Sequence, residues 1–281
     1  MKPIELSNLG NTCYFNSAMQ LLTLITPLHE FFQSNEFNNG PCKDINIFLN
    51  AYRDNKMSKR ILLSARKACG NNNFFGAKQQ DSQEFLTLLL DNIEEELKKH
   101  NHHNVIDELF GINSLTKLYY PNKKTTSKHQ ERMLSLALPD DVPYNMRECY
   151  ELYCRPEEIG EGVFKRNVIE GWPLYLFIHI KKYDNMMRKI NDPVDLPLKW
   201  NIENVYKNRD GETNTKRLHK YRMMGFIIHY GGYGGGHYVN CSYRDGEFYM
   251  CSDTTITEMT KEQYVQASKH AYLVLYGLKN V

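Results

Sequence analysis

The chain has 281 residues, 41% hydrophobic and 24% charged, with a formal net charge of +2. That is the balance of an ordinary soluble globular chain, long enough to bury a large core without covalent staples. It offers no global basic field for nucleic acid, and no stretch approaches the roughly 18 apolar residues of a bilayer-spanning helix, so neither nucleic acid nor a membrane is expected as a partner. The seven cysteines, at 13, 42, 69, 149, 154, 241 and 251, are odd in number and fall in no disulfide framework, which favours an intracellular, reducing compartment, cytoplasm or nucleus. The first thirty residues do not read as a signal peptide, because the apolar run at 21–25 is too short.

Residues 13–25 carry Ala18, Leu21, Leu22 and Ile25 at helical spacing, and Pro27 reads as closing that helix. Residues 80–99, QDSQEFLTLLLDNIEEELKK, are the clearest helix. Phe85, Leu88, Leu89, Asn92, Ile93 and Leu97 fall mostly on one face, Asp81 stands in the first turn, and Lys98 and Lys99 complement the dipole at the end. After Phe110 the pattern changes to period two. Strands are expected at 134–139, 175–183, 223–230, 237–244, 247–252 and 271–278, with the RDG at 244–246 as a hairpin turn. The densest apolar run, LYLFIHI at 174–180, reads as a buried strand. The polar stretches 99–105, 121–130 and 207–220 read as loops. A helical amino-terminal part followed by an antiparallel β part describes an α+β fold with a cleft between two lobes.

Cys13 stands at the start of the first helix, where unpaired N–H groups and the positive dipole end favour a thiolate. His237 follows GGYGGG at 231–236 and begins a strand. Five glycines in six positions let the backbone approach a ligand closely. A histidine there can serve as base and later protonate a leaving amine. Taken singly, each residue is equally at home as a structural one.

Five blocks in one order resemble the ubiquitin-specific protease family of cysteine deubiquitinases. They are LSNLGNTCYFNSAMQLL, which is close to that family's cysteine box; GAKQQDSQEFLTLLLD at 76–91; WPLYLFIHIKKYDNMMRKINDPVDLPLKW at 172–200; the histidine box YRMMGFIIHYGGYGGGHYVNCSYRDGEFYMCSDTTITEMT at 221–260; and the closing strand AYLVLYGLK at 271–279. The resemblance implies a papain-like cysteine protease fold in one catalytic domain, 1–281. A helical thumb lobe (1–109) would pack against an antiparallel β palm with abbreviated fingers (110–281), with the active-site cleft between them. It implies thiol-dependent hydrolysis of the isopeptide or peptide bond after the C-terminal glycine of ubiquitin, with no cofactor and with ubiquitin and ubiquitinated proteins as partners.

Carried over by position, Cys13 matches the nucleophile, His237 the general base and Asn8 the amide that helps stabilise the oxyanion. From the residues alone, Asn8 is also a good turn or cap residue. The third catalytic position departs from the common pattern: Ser252 stands first and Asp253 second. Serine can accept the Nδ1–H of the imidazole without bringing charge. Ser252 is therefore expected to orient the ring, with Asp253 supporting it directly or holding the oxyanion site through water; the reverse assignment stays open. Ubiquitin ends in Leu-Arg-Leu-Arg-Gly-Gly. Asp81 and Glu84 match positions facing that tail, where carboxylates suit arginines, and Tyr238 would wall the glycine slot.

Many members hold zinc through two C-x-x-C pairs. Here the first would fall in KLYYPN at 117–122, which has no cysteine, and near the second only Cys149 and Cys154 are present. A structural site needs four ligands, so no metal is expected, and His102, His103 and His129 read as loop histidines. The short span between Leu109 and Trp172 implies reduced fingers, a weaker grip on ubiquitin, and room for an activating partner protein. Two alternatives are a catalytically weak ubiquitin-binding scaffold, motivated by Ser252 and the short fingers, and a protease for a ubiquitin-like modifier.

Overall fold

The computed structural model describes residues 1–76, 78–184, 186, 188–206, 215–232 and 235–279. The helical part comprises α1 (Cys13–Leu22), α2 (Thr26–Ser34), α3 (Gly40–Arg53), α4 (Lys59–Lys67), α5 (Ser82–Lys99) and α6 (Val105–Phe110), with a 3-10 turn at Asn72–Phe75. Pro27 sits in the first turn of α2. It therefore opens a helix rather than closing one, a place where its missing N–H costs nothing. α5 starts two residues later than expected, because Asp81 is its cap: the carboxylate accepts from the N–H groups of Gln83 and Glu84.

Strands follow: β1 (Ile112–Tyr119), β2 (Lys124–Glu131), β3 (Met133–Ala137) and β4 (Tyr144–Asn145), then α7 (Met146–Cys154), β5 (Glu157–Gly160), β6 (Val163–Gly171), β7 (Tyr175–Lys181), β8 (Val194–Asp195), β9 (Lys199–Tyr206), β10 (Thr215–Gly232), β11 (Gly235–Arg244), β12 (Glu247–Ser252) and β13 (Thr255–Met259). α8 (Lys261–Ser268) and β14 (Ala271–Leu278) complete the fold. The palm is an eight-stranded sheet in the order β13-β12-β11-β10-β14-β7-β3, with β9 also paired to β10. Only β3 and β7 run parallel in it.

A second, four-stranded antiparallel sheet, β2-β1-β6-β5, stands in the place of the fingers. The stretch 121–130, read as a loop, is for the most part β2. Its side chains are almost all exposed, so no apolar alternation marks it, and it is held by ladder bonds to β1. Of the loop read at 207–220, residues 207–214 lie outside the described residues, and the remainder belongs to β10. His129 is in β2, not in a loop. Cys149 and Cys154 lie on α7, and all seven cysteines are free. Among the described residues no three His, Cys, Asp or Glu side chains are gathered as metal ligands.

The palm sheet buries both faces. Successive side chains along a strand point to opposite sides. Phe177, Ile227, Leu273 and Leu275 pack toward the helices, with Phe15, Phe85 and Phe110 in the same core. Leu176, Ile178, Phe226, Val274 and Tyr276 face the other side, under α7 and α8, with Met146 and Tyr264. α1 lies directly on β10 and β11. Gly225 permits this, since a Cβ there would meet the Cys241 carbonyl at 2.8 Å and Leu21 and Leu24 at 3.0 and 2.9 Å. The buried Arg244 at the end of β11 fixes the far end of α1. It donates to the Gln20 carbonyl at 2.6 Å and to Thr23 Oγ1 at 3.0 Å, a cation at a helix carboxyl end.

Candidate active site

The turn before α1 is built by Asn8. Its Oδ1 accepts from the N–H groups of Gly10 (3.0 Å) and Thr12 (3.1 Å), while Gly10 and Asn11 take left-handed backbone angles (φ +96 and +52). An asparagine side chain closing its own turn in this way is a common local device. It delivers Cys13 as the first residue of α1, 3% exposed. Its sulfur receives Nε2 of Gln79 at 3.6 Å, and the same carboxamide bonds to Gly236, the residue before His237. The start of β11 and the start of α1 therefore meet at the thiol. The helix start was expected to depress the thiol's pKa. Burial instead pushes it above its ordinary value; the nearby Asp253 carboxylate adds to the rise, and the N–H groups of Tyr238 and Tyr14 and the Gln79 amide oppose it.

His237 lies near the start of β11, paired with Tyr230 of β10. Its Nε2 is 2.8 Å from Ser252 Oγ. The hydroxyl thus meets Nε2 and not Nδ1, which leaves Nδ1 as the other face of the ring. Asp253 makes different contacts. Its Oδ2 accepts from Asn8 Nδ2 at 2.8 Å, its Oδ1 from Asn16 Nδ2 at 2.7 Å, and its carbonyl from the Leu6 N–H at 3.1 Å. No water is needed to link it to Asn8. Asp253 also adopts φ +54, a conformation that Asp and Asn tolerate better than most residues. The second N–H of the Asn8 amide has no partner among the described residues, so it is free to donate to a developing oxyanion.

Beside the thiol runs a cleft of about 1060 Å³ between the start of α5 and the ends of β10 and β11. Tyr238 forms part of its wall, buried to 5% exposure and stacked on His229 with ring centroids 4.4 Å apart. Asp81 lines the cleft, but its oxygens are committed. Oδ1 accepts from Gln83 and Glu84 N–H, and Oδ2 from the hydroxyls of Tyr238 (3.1 Å) and Tyr272 (2.6 Å). With four internal donors it has no free pair of lone pairs for a guanidinium, which corrects the reading of Asp81 as an arginine ligand. Its work here is to cap α5 and tie it to β11 and β14. Glu84 is exposed on the same rim, and its carboxylate has no partner among the described residues. Lys78, Lys181 and Lys182 share the lining, so the cleft is not uniformly acidic. Burial lowers His179 and His229 to about 4, so both are neutral at physiological pH.

Three residues of the site were not picked out in the sequence. Gln79 was quoted only as part of a block. Asn16 shows as a polar residue one helical turn after Cys13, on a helix buried all round, and that was the available signal. Tyr272 sits in a strand whose apolar pattern hides the use of its hydroxyl.

A buried thiol at a helix start, an imidazole backed by a hydroxyl, and an asparagine amide held by a carboxylate are the parts of a papain-like thiol hydrolase. The comparisons agree on the family: the ubiquitin carboxyl-terminal hydrolase (UCH) family matches residues 4–276, and the chain belongs to it. Ubiquitin carboxyl-terminal hydrolase 51 of Mus musculus is 23% identical over 345 residues, covering 98% of this chain and 51% of that protein. Ubiquitin carboxyl-terminal hydrolase 5 of Schizosaccharomyces pombe is 24% identical over 288 residues, covering 94% of this chain and 26% of its own length. The chain thus spans about half of the first relative and about a quarter of the second. Among solved structures, the SAGA Ubp8/Sgf11/Sus1/Sgf73 DUB module bound to ubiquitin aldehyde superimposes with a TM-score of 0.83 at 19% identity, over 99% of this chain and 70% of that one. It shares the fold.

Proposed function

We propose that this chain is a thiol-dependent deubiquitinase, folded as one catalytic domain with a helical lobe at 1–109 and a β lobe at 110–281. It would cleave the isopeptide or peptide bond after the terminal glycine of ubiquitin. The observation that carries the reading is the junction of α1 and β11, where the Gln79 amide bonds both to the Cys13 sulfur and to the carbonyl of Gly236, the residue before His237. In the proposed cycle His237, oriented through Nε2 by Ser252, takes the thiol proton on Nδ1. The sulfur attacks the glycine carbonyl, and the oxyanion is met by the free N–H of Asn8, held in place by Asp253. Collapse breaks the C–N bond, and the imidazolium protonates the leaving amine. Water, deprotonated by the same imidazole, then hydrolyses the thioester to a carboxylate and the thiol. Glu84 supplies the free carboxylate for a tail arginine, and Tyr238 walls the slot.

The names of the relatives and the ubiquitin aldehyde bound by the structural neighbour support ubiquitin as the modifier. That neighbour works within a module of other proteins, which supports an activating partner here. Seven free cysteines support a reducing compartment, and among the described residues no helix is long and apolar enough to cross a membrane. A weakly catalytic scaffold is favoured by one observation, the burial of the Cys13 thiol to 3% exposure. Incubation with ubiquitin vinyl sulfone decides between them. Wild type should gain one covalent adduct and Cys13→Ala none. A wild type that never labels would sink the enzymatic reading, and preferential labelling by a matched ubiquitin-like probe would reassign the modifier.

A further inference from the structure

Antiparallel pairing turns a residue's N–H and C=O either both toward a neighbouring strand or both away from it. Gly236 gives both groups to Gln79. Its N–H donates to Oε1 at 2.6 Å, and its C=O accepts from Nε2 at 2.5 Å. Gly236 is therefore turned away from Gly231, its partner in β10. Tyr238, two residues on and paired with His229, is turned the same way, toward the start of α1. Two further on, Asn240 is covered by Cys251 of β12, which ends at Ser252. β11 thus has an open edge running from the thiol to Gly236. The Gln79 side chain occupies it at Gly236, reaching there from 157 residues away in the chain.

A primary carboxamide that donates and accepts at once is the side-chain equivalent of a peptide group. An extended peptide entering from the cleft would need the same two groups of Gly236 to pair as a strand. The cleft is lined at its inner end by Gln79 and Tyr238, and beyond Gln79 Nε2 lies the Cys13 sulfur. Position 236 admits only glycine, since a Cβ there would run into the Tyr230 carbonyl.

We propose that Gln79 is a substrate-displaced latch: its carboxamide holds the main-chain pairing site of Gly236 beside the thiol, and the incoming peptide tail must replace it bond for bond to reach Cys13. The proposal rests on the deubiquitinase reading for its substrate but not for the latch itself. It makes Gln79 a specificity element. A tail can take over both bonds only if it lies extended with an unobstructed backbone edge, as a diglycine does.

The test uses the whole chain with Gln79→Ala, which removes both bonds, and Gln79→Glu, which keeps the acceptor for the Gly236 N–H but loses the donor to its C=O. With a Leu-Arg-Gly-Gly-aminomethylcoumarin peptide, KM should fall at least threefold in Gln79→Ala and less in Gln79→Glu, with kcat changing by less than KM. Separately, NMR-detected hydrogen exchange of the Gly236 amide should quicken at least tenfold in Gln79→Ala. An unchanged or raised KM in both variants overturns the latch, as does unchanged Gly236 exchange. If the alanine variant fails to fold, the glutamate variant carries both measurements. A wild type that ignores ubiquitin vinyl sulfone overturns the deubiquitinase reading instead, and the exchange measurement then decides the latch alone.

Discussion

Asp253 holds two asparagine amides, Asn8 and Asn16, and does not touch the imidazole; Ser252 does. In the proposed cycle these two neighbouring side chains, in β12 and the turn after it, serve different parts of the reaction, one the oxyanion and one the base. If Asp253 acts through Asn8, the two are one functional unit. Asn8→Ala and Asp253→Ala should each cost on the order of 100-fold in kcat, and the double variant little more than the worse single one. Ser252→Ala should cost roughly tenfold, because a neutral hydroxyl orients the ring without stabilising its charge, and that loss should multiply with the Asn8 loss. Multiplying losses for Asn8 and Asp253 would show that they act apart. The residues of the proposed cycle were named from their blocks; the proposed division of labour between them was not. It depends on contacts spanning 245 residues for Asn8 and 15 for Ser252. The saturation of Asp81 was equally invisible, since two of its donors are tyrosine hydroxyls on distant strands.

Helices and strands are joined by a second buried device away from the thiol. Glu94 of α5, 7% exposed, takes Arg132 at 2.6 Å from the link between β2 and β3, with Lys98 at 2.6 Å and Asn104 at 2.8 Å. Burial alone would raise its pKa, but the hydrogen bonds from Arg132, Lys98 and Asn104 outweigh it and hold the carboxyl at about 2, against an ordinary 4.5. A folded-state pKa below the unfolded one gives stability that is complete above about 4.5 and drains away as the pH falls toward 2. Glu94→Gln should flatten that part of a urea-unfolding pH series. At pH 7 it should cost about 2 kcal/mol, because Arg132, 9% exposed, is left with only Asp107 at 3.5 Å as a counter-charge. An unchanged pH slope would refute the assignment. Long amphipathic α5 was legible from period alone, and so were β7, the later part of β10, β11, β12 and β14, each with a clear apolar alternation or a dense apolar run; β9 and β13 were not expected. β2 was not legible, because its residues are polar on both faces and only its ladder to β1 makes it a strand.

At the scale of the molecule the order of the blocks carried the architecture: helices first, sheet second, with Gln79 bonded both to the thiol and to Gly236, the residue before His237. The sheet's spatial order was beyond reach of any local pattern. β14 comes after every other described strand in the chain, yet it lies in the middle of the palm, with β10 on one side and β7 on the other. During synthesis the ribosome therefore releases this keystone after every other described strand of the sheet. Until residues 271–278 emerge, the β10–β13 half and the β3–β7 half have no ladder between them, and each shows an unpaired edge to other nascent chains. A chain stopped at residue 270 should be recovered only in the insoluble fraction, whereas one stopped at 279 should stay soluble. Survival of the shorter chain as a monomer would mean that the halves close without their central strand.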